Sequence, residues 1–149
     1  MYSGRINKTL QAKIQKCQNA CMRFIFCIPR REHILPSINN KNILNMYRRR
    51  LLHTYCLIHK IITSGKPSYL ADMLIPRTSI HSHHTRNNFK FNLPLCNTQA
   101  YQSSFSYSAA KIWSALPKTM SSISKIESFR NEVKNFLLAE QRLCSNTMM

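Results

Sequence analysis

The stretch from Gln102 to Pro117 constrains the fold more than any other part of the chain. It holds the single tryptophan, Trp113, and the densest apolar cluster of the second half. Tyr107, Ala110, Ile112, Trp113 and Leu116 recur at helical spacing behind serines at 103, 104, 106 and 108, which offer N-cap oxygens, and Pro117 forbids continuation. This pattern predicts a short, capped, buried helix. Ala109 and Ala110 let a neighbouring backbone come close, and a buried Trp removes about 200 Å² from water. The stretch reads as a packing keystone rather than a reactive site.

The rest of the chain carries the same helical period. Leu10, Ile14, Cys17, Cys21, Phe24 and Ile28 form one apolar stripe that Pro29 ends, with Lys8, Lys13, Lys16 and Arg23 on the other face. Ser37 to Asn40 supply capping side chains for a long helix over residues 41–64, with Leu44, Tyr47, Leu51, Tyr55, Ile58 and Ile62 turned inward. Gly65 sits where a left-handed residue closes a helix, and Pro67 opens a short helical step through Tyr69, Leu70, Met73 and Leu74 to Pro76. Between Arg77 and Gln102 the helical period is lost. Phe89 to Leu93 alternates as a strand would, which admits a short β-hairpin between residues 86 and 106. Ser124-Lys125-Ile126-Glu127 has the form of a capping box ahead of Phe129, Val133, Phe136 and Leu137.

The expected fold is therefore mainly α, a small domain of four to five helices. Residues 1–6 form an extension, 7–141 a single basic helical domain and 142–149 a polar tail. Its core is expected to include Phe24, Tyr47, Leu51, Tyr69, Leu70, Phe105, Trp113, Leu116 and Phe129. An apolar share of 44% over 149 residues suffices for one modest core.

Charge is the unusual property. Lys and Arg number 22 against 5 Asp and Glu, a formal net charge of +17, and an anionic partner would relieve the self-repulsion. Candidate nucleic-acid contacts are Lys13, Lys16, Arg23, Arg30, Arg31, Arg48, Arg49 and Arg50. The last three lie about 100° apart around one helix, and guanidinium forks suit phosphates. The six cysteines are unevenly spaced with no secretory segment ahead of them, which points to reduced, buried thiols in an intracellular protein, nuclear or cytoplasmic. No apolar run is long enough to span a bilayer.

Several chemistries are missing. A polymerase needs paired metal-binding carboxylates and a nuclease a comparable acidic cluster, yet Asp72 is the single aspartate. With Gly4 and Gly65 the only glycines, no phosphate-binding glycine loop and no nucleophile elbow can be written. His81, His83 and His84 lack the converging partners that zinc requires. The chain reads as non-enzymatic, with no cofactor and no metal.

Four stretches carry a family resemblance. Leu10-Gln11 with Ile14 to Ala20 and Met22 to Ile25, then Gly65 to Leu70, then Phe105 to Pro117, then Phe129 to Leu137, fall in the order found in the C-terminal region of reverse transcriptases from jockey-like non-LTR retrotransposons, which the chain resembles over residues 10–138. It departs from that pattern at Ser108, where a basic residue is frequent, and at Ser114, where Asn is frequent. The resemblance implies a segment downstream of fingers, palm and thumb, in a parent protein with an endonuclease and an RNA-directed DNA polymerase. The polymerase aspartates are absent here, so no catalytic residue carries over. The expected role is a basic module that holds template RNA or target DNA beside the polymerase portion. The competing expectations are a structural remnant that packed on the thumb and an independent nucleic-acid-binding protein.

Overall fold

The computed structural model describes residues 7–80 and 90–146, and the histidines at 81, 83 and 84, residues 1–6 and the last three residues of the tail lie outside them. The described chain is mainly helical: α1 (Lys8–Ile25), α2 (Leu35–Asn40), α3 (Met46–Ser64), α4 (Ser68–Ala71), a 3-10 turn (Arg77–Ser79), α5 (Gln99–Gln102), α6 (Phe105–Ser114), α7 (Lys118–Ser121) and α8 (Ile126–Asn146). The contacts group it into two compact units, residues 54–130 and residues 7–53 with 131–146, so α3 and α8 each contribute a segment to both.

The unit of residues 54–130 is built on rings. Phe129 is 0% exposed, and the His59 ring stacks on it at 4.3 Å between centroids. Trp113, 4% exposed, lies 5.9 Å from Phe129 on another side and 6.0 Å from Phe91. His59 Nε2 donates to the Ile123 carbonyl at 2.7 Å, which fixes both the ring and the loop that precedes α8. Ala109 and Ala110 are buried, as their small side chains predict, and Leu116 is buried beside them in the sequence. Ser108 is buried too, its hydroxyl donating to the carbonyls of Ser104 and Phe105. A basic residue at that position would bury its charge.

No hairpin forms over the described part of residues 86–106. Phe91 instead makes an isolated antiparallel bridge with Pro76, flanked by Arg77 N–H to Lys90 O at 3.1 Å and Asn92 N–H to Ile75 O at 2.8 Å. Pairing backwards seats Phe91 against Trp113, whereas a turn through Pro94 would sacrifice a ladder donor. Tyr69 is 63% exposed, which corrects its assignment to the core. A helix of four residues presents one narrow face, and the inward positions go to half-buried Leu70 and, beyond its end, buried Leu74. Phe105 is half-buried.

The unit of residues 7–53 and 131–146 is built on amides. Met22, Ile34 and Ile38 make a small apolar cluster with Phe26, Ile28 and Ile43 against it. Beside it, Gln141, 3% exposed, accepts from Asn45 N–H at 3.0 Å and donates to Asn39 Oδ1 and the Ile43 carbonyl. Gln15 Oε1 accepts from Met46 N–H at 3.0 Å, and Gln18 Nε2 donates to the Leu44 carbonyl at 2.9 Å. Asn45 Oδ1 accepts from Arg48 N–H at 2.8 Å. Gln141, Gln15 and Asn45 thus satisfy the N–H groups of Asn45, Met46 and Arg48 at the start of α3, and Gln18 meets the carbonyl just before it. Because Asn45 is the cap, the helix begins at Met46 rather than at residue 41, and Leu35–Asn40 becomes a separate helix.

That network also sets the roll of α1. The face with Gln15, Gln18 and Asn19 is half-buried and Met22 is buried, while Leu10, Cys17, Cys21 and Phe24 are exposed. The helix is turned roughly 120° from the roll its apolar stripe predicts. Phe24, at 86% exposed, is therefore corrected from core to surface, and so are the thiols of Cys17 and Cys21, with Cys27 and Cys144. Tyr47 and Leu51 are half-buried.

Three helices close on left-handed residues. Gly65 (φ 64°) does so after α3, its N–H reaching Ile61 O at 2.8 Å, as predicted. Asn42 (φ 54°) closes α2, and Cys27 (φ 50°) closes α1. In the last two the following N–H returns to the first turn back, Ile43 to Ile38 O and Ile28 to Arg23 O, the six-to-one bond of a Schellman motif.

Candidate nucleic-acid interface

All eight basic candidates belong to the amide-built unit, and the structure sorts them by role. Lys13 and Lys16 are exposed on α1, and Arg49 is exposed on α3. Arg48 is half-buried, with Nη2 3.4 Å from Cys144 Sγ, and Arg50 is half-buried with an interaction of its own. The consecutive arginines thus diverge, as their angular spacing requires.

Arg23, Arg30 and Arg31 are brought together. Pro29 to Glu32 form a turn closed by Glu32 N–H to Pro29 O at 3.1 Å, with Arg30 and Arg31 exposed at its two central positions. Half-buried Arg23 reaches back from the last turn of α1. Its Nη1 donates to the Pro29 carbonyl and its Nη2 to the Glu32 carbonyl at 2.7 Å, so both ends of the turn are held by one guanidinium. Arg23 is thereby a structural clamp, not a surface cation. The corner is anchored behind by Phe26 and Ile28 in the apolar cluster, with Lys41 Nζ 5.5 Å from the Phe26 ring centroid.

Two cations escape the sequence reading. Lys134 and Arg142 line an open depression of about 350 Å³ together with Asn42, Asn135, Leu138 and Ala139, and Arg142 Nη2 donates to Asn42 Oδ1 at 2.6 Å. The three acids of α8 conceal them in the sequence, although Glu132 and Glu140 project from other sides of the helix. Burial pushes the Cys56 thiol up, against the lowering influence of Arg130. Among the described residues no group of three or more His, Cys, Asp or Glu side chains is placed to hold a metal ion, and no helix is long and apolar enough to cross a membrane.

Neither a protein-family profile, a curated protein nor a solved structure matches the chain.

Proposed function

We propose that this chain is a non-catalytic, basic helical module from the C-terminal part of a non-LTR retrotransposon RNA-directed DNA polymerase, where it contacts template RNA or target DNA in an intracellular setting. The observation that carries the reading is the run of cations through the N-terminal segment of the chain. Residues 7–53 hold ten Lys and Arg against a single acid, Glu32. Five of the cations proposed from the sequence, Lys13, Lys16, Arg30, Arg31 and Arg49, are exposed there. Neither α1 nor α3 has an acid in its first turn, and Lys8 and Arg48 stand where the helix dipole disfavours a cation by about 0.3–1 kcal/mol each. An anionic partner offsets that cost. The reading is tested by titrating the protein into labelled RNA and duplex DNA at increasing salt. If six to eight phosphates are touched, the log–log slope on duplex should be about −0.9 per phosphate, and an absence of binding at low salt would refute it.

A second reading draws on a different observation. Leu10, Phe24 and Ile25 leave an exposed apolar stripe on α1, which suits a structural remnant whose surface packed on the polymerase portion of the parent protein. It predicts self-association or poor solubility of the isolated chain, with no salt-dependent nucleic-acid binding.

A further inference from the structure

The corner where α1 ends combines three features that the charge argument does not require together. Phe24 lies 86% exposed on the last turn, well beyond Tyr69 at 63% and Tyr101 at 44%. Its neighbour Arg23 clamps both ends of the next turn. That turn carries Arg30 and Arg31 at its tip, exposed. Holding a two-residue tip by its flanking carbonyls removes conformational freedom from the backbone that bears the two forks, so less is lost when they bind. Along α1, Lys16 and Lys13 precede Phe24 by about 12 and 16 Å, and by about 80° and 20° around the axis. The exposed ring is thus continuous with a track of cations.

Resting on the reading above, we infer that this corner binds single-stranded nucleic acid, with the Phe24 ring stacked on an unpaired base, Arg30 and Arg31 on neighbouring phosphates, and Arg23 as the positioning residue. A duplex hides its base faces, so an exposed ring gains little from it, whereas every unpaired base offers a π-face. Charge complementarity favours this occupant over an apolar protein surface, because cations border the ring on both sides in the sequence. Glu32 is the one carboxylate in the segment and closes the turn exposed; it opposes phosphate, and Glu32→Gln should tighten binding.

The test compares a labelled dT oligomer with a hairpin duplex, using the full chain and following anisotropy across a salt series. Phe24→Ala should weaken dT binding roughly 5- to 100-fold, the range of one lost base stack, while duplex binding and the thermal melt stay as in the wild type. Phe24→Trp should retain dT binding, and its emission should quench on dT addition over the constant background of buried Trp113. Arg30→Gln with Arg31→Gln should weaken both ligands and flatten the dT salt slope by about 1.4, at 0.7 per phosphate. Unchanged dT affinity in Phe24→Ala overturns the inference while leaving the basic module standing. So does a variant that only loses self-association in sedimentation, which would mark α1 as a protein-docking face. If the wild type binds neither strand, the functional reading and this inference fall together.

Discussion

Residues 54–130 bury rings where residues 7–53 and 131–146 bury amides, and the two choices leave different surfaces. In the first unit Trp113, Phe129, His59 and Phe91 consume their aromatic faces on one another. In the second, Gln15 and Gln141 are spent on N–H groups at the start of α3 and Gln18 on the carbonyl before it, which rolls α1 so that Leu10, Cys17, Cys21 and Phe24 face outward. In the amide-built unit an exposed ring and exposed cations thus fall on one helix and the turn after it, whereas the rings of the other unit are taken up in its interior. The proposed interface follows from this division.

The comparison is most easily broken in the aromatic unit. Trp113→Ala should cost about 3–5 kcal/mol through cavity formation, read from the denaturant midpoint, with nucleic-acid affinity retained where the protein remains folded. Full stability with lost binding would make Trp113 a stacking platform and reverse the roles of the two units.

The next largest effect is expected in the amide unit. Gln141→Leu strands Asn45 N–H, Asn39 Oδ1 and the Ile43 carbonyl, and about 1–3 kcal/mol should be lost. A neutral or stabilising result would mean that the network is decorative and that apolar packing alone holds α3. Smallest of the three, Cys27→Gly should stabilise by about 0.5–1 kcal/mol, because a side chain at φ 50° is strained. Asn42→Gly should gain less, since Asn tolerates that region.

Around α6 and the end of α3 the ring-built unit was legible because the local signals agree, whereas Tyr69 and the hairpin were placed wrongly there. The alanines, Trp113 and Pro117 point to α6 as it stands, although Ser104 at its N-cap position makes no side-chain capping bond, and Gly65 closes α3 where only a left-handed residue fits. The amide unit was read less well for one physical reason. Periodicity assigns apolar faces inward, yet here hydrogen-bond demand at the start of α3 outweighs the burial of Leu10, two thiols and Phe24. Nothing in the spacing of Gln15, Gln18 and Gln141 reveals that they converge, since Gln141 meets Asn39 across 102 residues. The site was legible in part: Lys13, Lys16, Arg30, Arg31 and Arg49 are exposed as charge arguments require, whereas the clamp made by Arg23 depends on the path of the turn after Pro29.

The roll of α1 is the claim on which the rest depends, and its cysteines report it directly. Native protein treated briefly with a maleimide and mapped by mass spectrometry should be labelled rapidly at Cys17, Cys21, Cys27 and Cys144, which are exposed, and slowly at half-buried Cys56. Burial raises the Cys56 thiol above its ordinary 9.0, so its labelling should stay slow until the pH is raised beyond that value. Cys17 and Cys21 as slow as Cys56 would place the apolar stripe of α1 inside, withdraw Phe24 from the surface, and contradict the account.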